Sequence, residues 1–148
     1  QVRIPPMKIL IAVDGSKGSL EAVRCLVDHA DWYRGKPEVL LVTVHLPVPK
    51  LPGMGAAVGK SQIQKYYQQE GEAQLAAAKR KLDAAGIPYA AQVLVGPVAE
   101  SIVQHAKDKR CDIIYIGTRG MTEIGKALVG SVATKVLHIS DIPVLLVK

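Results

Sequence analysis

The sequence predicts a single doubly wound α/β domain: a five-stranded parallel sheet with helices on both faces. Three observations carry this. Short β-branched or leucine-rich runs alternate along the chain with stretches whose apolar residues recur at helical spacing, the pattern of strand–helix–strand units joined by right-handed crossovers. The short runs are apolar on consecutive positions, as strands covered on both faces are. The length, 148 residues, is one domain's worth, enough to bury roughly two-thirds of the unfolded surface.

Gln1–Pro6 precede Met7, which reads as a natural start, so residues 1–6 are expected to be an added or disordered leader and 7–148 the domain. The first strand, Lys8–Val13, ends at Asp14-Gly15-Ser16, a turn signal with a helix N-cap candidate. Leu20, Val23, Leu26, Val27 and Ala30 then mark a helix that Gly35-Lys36-Pro37 is expected to stop. Val39–Val44 is the second strand. From Leu46 to Lys60, Pro47, Pro49, Pro52, Gly53, Gly55 and Gly59 impose a long loop. Emerging where the second strand ends, it is expected to act as a lid. Ser61 to Ala85 reads as a helix closed by Gly86 and Pro88, with Gly71 against it, since an interior glycine costs about 1 kcal/mol relative to alanine. Tyr89–Val95 is the third strand, and Val98, Ile102, Val103 and Ala106 mark the next helix. Asp112–Ile116 is the fourth strand, ending at Gly117. After a glycine-rich loop, Val132, Ala133, Val136 and Leu137 form the last helix, and Pro143 leads into the fifth strand, Val144–Lys148.

Composition narrows the function. Hydrophobic residues are 49% and charged residues 22%, as in ordinary globular chains, which excludes a disordered one. Cys25 and Cys111 lack any C-x-x-C spacing, so a disulfide scaffold is excluded and a reducing, cytoplasmic setting is expected. No apolar run approaches the ~20 residues that span a bilayer, so no membrane partner is expected. The net charge is +6, but Lys79-Arg80-Lys81 and Lys107, Lys109 and Arg110 lie among carboxylates on helical stretches. With aromatics at only 4%, there is no stacking platform, and no nucleic-acid partner is expected. His29, His45, His105 and His138 show no metal spacing, and no nucleophile elbow exists for serine hydrolysis.

Ligands of an open α/β sheet bind beyond the carboxyl ends of its strands. Two segments stand out there: Asp14-Gly15-Ser16, and the loop from Gly117 to Ser131, with four glycines and the cations Arg119 and Lys126. Glycines let main-chain N–H groups approach a phosphate, and Gly130-Ser131 opens a helix whose unpaired N–H groups favour an anion. Gly120-x4-Gly125-Lys126 begins like a P-loop, but Ala127 stands where Ser or Thr should hold Mg²⁺, which argues against a P-loop NTPase. Gly53-x-Gly55-x3-Gly59 misses the dinucleotide fingerprint by one residue.

What does match is Gly117-x2-Gly120-x9-Gly130-Ser131. It resembles the nucleotide-binding signature of the ATP-binding universal stress proteins. The resemblance extends from Lys8-Ile9-Leu10-Ile11-Ala12-Val13-Asp14-Gly15-Ser16 to Ile142-Pro143-Val144-Leu145-Leu146-Val147. It implies strand order 3-2-1-4-5 and an ATP site split between strands one and four. By position, Asp14 would meet the ribose or a phosphate-bound Mg²⁺, and the main chain of Ala12 and Val44 would meet adenine. Gly117, Gly120, Gly130, Ser131 and Val132 would hold phosphates and ribose, with Arg119 adding charge. Asp14 also has a local reading, as an Asx turn closing the strand–helix bend. The expected function is a stress-response regulator using nucleotide occupancy as a switch. Its rivals are a slow Mg²⁺-dependent ATPase through Asp14 and a protein-interaction module with an empty crevice, against which the full set of signature glycines argues. No feature counts phosphates, so ATP, ADP and AMP stand equal. The last strand, apolar on both faces and at the sheet edge in that order, is expected to pair with its copy in a homodimer.

Overall fold

The computed structural model describes residues 5–48, 59–119 and 129–148. The elements are β1 (Lys8–Ala12), α1 (Lys17–Asp28), a short 3₁₀ turn (Ala30–Trp32), β2 (Glu38–His45), α2 (Lys60–Ala84), β3 (Tyr89–Val95), α3 (Val98–Asp108), β4 (Ile113–Gly117), α4 (Ser131–Ile139) and β5 (Val144–Val147). All pairings are parallel, and the order is β3-β2-β1-β4-β5. The predicted fold class holds. Most of the expected lid (49–58) and the centre of the glycine-rich loop (120–128, with Gly120) lie outside the described residues.

β1 is central, with Ala12 opposite Val42 on one side and Ile116 on the other. Alternate residues of a strand point to opposite faces. Ile9, Ile11 and Val13, with Val39, Leu41 and Tyr115, therefore pack under α1 and α2. Leu10 and Ala12, with Val42, Ile114 and Ile116, pack under α3 and α4. This is why the strand runs are apolar at consecutive positions. Cys111 is buried in the second of these layers, as a small hydrophobe, and burial raises its thiol pKa. In the first layer the fully buried Tyr115 shares a hydrogen bond with the Tyr33 hydroxyl. Burial above all, with that bond, pushes the Tyr115 phenol well above its ordinary range, so it stays neutral.

The first helix ends earlier than Gly35. It stops at Asp28, where His29 serves as C-cap. The His29 ring nitrogen Nδ1 lies 2.8 Å from the Cys25 carbonyl, which the His29 N–H also reaches at 3.1 Å. With the Trp32 N–H donating to the His29 carbonyl, the chain tightens into the 3₁₀ turn. Gly35, at φ +69°, turns the chain towards β2 instead.

Gly71, the residue that argued against α2, is what lets this helix reach the sheet. It lies in the buried stripe Tyr67, Gly71, Leu75, Ala78 and Leu82. A Cβ at Gly71 would stand 2.3 Å and 2.7 Å from the two γ-carbons of Val93 on β3. Gly71→Ala is therefore expected to lose about 1–2 kcal/mol in urea denaturation, despite about 1 kcal/mol of helix propensity gained. In the double variant Gly71→Ala/Val93→Ala the loss should fall short of the sum of the singles, because the collision is removed. Additive losses would show that Val93 is not the obstacle.

Candidate functional site

Where β1 ends, Gly15 takes φ +85° and the chain folds back into α1. The Asp14 carboxylate accepts the Ser16 N–H through Oδ1 at 2.9 Å, so the Asx turn is present. Ser16 caps α1, its Oγ accepting the Ser19 N–H at 3.1 Å. The Ser19 hydroxyl accepts the Asp14 N–H at 3.1 Å and donates to the Ser16 carbonyl at 3.1 Å.

Across the crevice β4 exits through Gly117 into Thr118, which is buried. The Thr118 N–H donates to the Val147 carbonyl at 2.9 Å, and its carbonyl accepts the Gly130 N–H at 2.6 Å. Gly130 is the N-cap of α4 and brings no side-chain cap. Its own N–H being taken by Thr118, the donors this end directs outward lie two and three residues further on, at Val132 and Ala133.

Gly117 is set against α1. A Cβ there would fall 2.3 Å from the Gly18 carbonyl oxygen, and a Cβ at Gly18 would fall 2.3 Å from the Arg119 carbonyl oxygen. Two glycines thus allow the first turn of α1 and the exit of β4 to touch backbone to backbone.

These two ends enclose one cavity at the carboxyl ends of β1 and β4. Ala12, Asp14, Val44, Gly117, Arg119, Gly130, Ser131 and Val132 all line it. They are every sequence-predicted site residue except Gly120. Its walls are aliphatic, from Ala12, Val44, Val98, Ile102 and Ile116, and its polar groups come from Asp14, Ser19, Thr118, Arg119 and Ser131. Asp14 is the sole carboxylate among the described lining residues. Among the described residues no group of three or more His, Cys, Asp or Glu side chains could hold a metal ion. No helix among them is long and apolar enough to cross a membrane.

Sequence reasoning missed Val98 and Ile102, read only as the core face of a helix, and Ser19 and Thr118. The pattern Asp14-Gly15-Ser16-x2-Ser19 was the available signal for Ser19, since a hydroxyl three residues past an N-cap can bond back into the turn. Thr118 had no signal of its own.

The family model described as Universal stress protein family matches residues 6–148 of this chain. A universal stress protein of Methanocaldococcus jannaschii is 33% identical over 141 residues, covering 95% of this chain and 81% of its own length. Among solved structures, another M. jannaschii protein superposes with a TM-score of 0.77 at 26% identity, covering 98% of this chain and 97% of its own. A universal stress protein in complex with cAMP superposes at 0.65 and 25% identity, covering 96% of each chain. The match spans the sheet, its helices and both ends of the cavity, and the chain belongs to the universal stress protein family.

Proposed function

We propose that this protein binds an adenine nucleotide in the cavity between β1 and β4, and that occupancy rather than turnover is the stress-response signal. The observation that carries the reading is the convergence of eight sequence-predicted residues on one cavity. The chemistry of the lining supports it. Aliphatic walls suit the faces of a base, and a carboxylate suits ribose hydroxyls. The amino end of α4 and Arg119 favour phosphate. The cAMP complex of a relative supports the same ligand class. Mg²⁺ typically binds one or two carboxylates together with substrate phosphates. Asp14, the one carboxylate among the described lining residues, fits an ion carried by the nucleotide, to which it would give an oxygen ligand and which would neutralise phosphate charge.

Isothermal titration with ATP, ADP and AMP tests the reading, and mass spectrometry of small molecules released from the purified protein identifies the resident species. No heat with any of them and no released nucleotide would overturn it. Steady-state phosphate release at saturating Mg-ATP separates a switch from a slow ATPase: release that Asp14→Asn abolishes would favour the enzyme.

The partner we propose is a second copy of the chain. β5 is the last strand of the sheet, its residues only half-buried. Beside it, α4 exposes Leu137 at 45% and Ile139 at 40%. An apolar edge of this kind is a template for strand pairing, which a two-fold contact satisfies. Light scattering at micromolar concentration is expected to give twice the single-chain mass of 15.9 kDa. The carbonyls of Pro143 and Val147 face β4, so the main-chain groups of Leu146 face the open edge, and Leu146→Pro, which removes an outward donor, should shift the population towards monomer. A single-chain mass for the unaltered protein would refute the dimer.

A further inference from the structure

We infer that Ser19 is a positioning residue for the nucleotide site, acting through Asp14 and not by touching the ligand; the inference rests on the function proposed above. Ser19 is 6% exposed, lines the cavity and sits in the first turn of α1. A serine hydroxyl has one hydrogen to donate. That of Ser19 goes to the Ser16 carbonyl, while its oxygen receives the Asp14 N–H. It has no donor left for a phosphate or a ribose.

The bonds of its hydroxyl form half of a closed ring. Asp14 N–H donates to Ser19 Oγ, Ser19 Oγ–H to the Ser16 carbonyl, Ser19 N–H to Ser16 Oγ, and Ser16 N–H to Asp14 Oδ1, all at 2.9–3.1 Å. The ring holds Asp14 at both its main chain and its carboxylate. Gly15 between them is in the left-handed region and supplies no side chain to stiffen the turn. Removing the Ser19 hydroxyl breaks two of the four bonds, including the one that holds the Asp14 N–H, and of the ring leaves only the Ser16 N–H on the carboxylate. A carboxylate that must meet a ligand within a few tenths of an ångström then spends part of its time elsewhere.

The test is a double-mutant cycle on ATP affinity with Mg²⁺ present, using Ser19→Ala, Asp14→Asn and both together. Alanine is a good helix former, and the melting temperature of each variant is recorded alongside. Ser19→Ala should weaken binding about fivefold, the worth of an ordinary hydrogen bond. It should have almost no effect once Asp14→Asn is present, and the Asp14 amide should exchange faster in the single variant. Ser19→Thr, which keeps the hydroxyl, should restore affinity. Loosening of the fold alone would instead lower affinity by the same factor in both backgrounds. Independent effects in an unaltered protein that binds ATP would overturn the role of Ser19 alone. Failure of the unaltered protein to bind any adenine nucleotide would overturn the proposed function, and this inference with it.

Discussion

Gly117→Ala is expected to cost the fold about 3 kcal/mol, because the added carbon meets backbone rather than a side chain that can swing aside. The Gly18 carbonyl oxygen lies 2.3 Å and its carbon 2.8 Å from where that Cβ would sit. Relief requires moving either the first turn of α1 or the exit of the central strand pair β1–β4. For a domain of this size the loss corresponds to about 10 °C in Tm. Gly18→Ala should behave alike, since its Cβ would strike the Arg119 carbonyl oxygen at the same distance. The check is thermal unfolding without nucleotide. A shift of under about 2 °C, within the ordinary range of a surface substitution, would show that the interlock yields freely.

The opposite separation of effects is expected at Gly130→Val. Gly130 has φ −69° and ψ 165°, extended backbone that valine adopts without strain. Its N–H still reaches Thr118 and its carbonyl still accepts from Thr134. The β-branched side chain would stand at the mouth of α4, where an anion must approach the N–H groups of Val132 and Ala133. Losing two charge-assisted bonds is worth about 3 kcal/mol or more, so ATP affinity should fall at least about a hundredfold. The melting temperature without nucleotide should change little. Equal affinity in calorimetric titration would remove the amino end of α4 from the site.

Much of this could be read from the chain itself. The third strand, Tyr89–Val95, falls on the residues expected, and the other strands differ by a residue or so at their ends. Short apolar runs between glycines and prolines leave little freedom in placement. The residues expected to face a ligand converge because the turns after β1 and β4 open on the same end of neighbouring strands. What escaped the reading depends on particular contacts, some remote in sequence and some local, that residue type and spacing do not encode. Gly71 looks like a helix defect until Val93 is set against it. The end of the first helix is decided by where the His29 ring folds back, and neither helix propensity nor the distant Gly35 reports that. Thr118 ties β5 to α4 through its main chain, which any residue type carries. Ser19 reads as an unremarked helix residue because its bonds run back into the turn before it.

The interlock of Gly18 with Gly117 changes what the glycine signature can diagnose. The first glycine was weighed, with the rest, as a mark of ligand use. Steric contact with Gly18 would demand it in a chain whose crevice stood empty. A relative that had abandoned nucleotide would still be held to Gly117 by its folding, while the backbone angles of Gly130 are ones any residue adopts and give no such reason to keep it. For sorting nucleotide users from non-users by sequence, the informative position is therefore the last glycine, and a search weighted equally over all of them would count a folding requirement as a binding site.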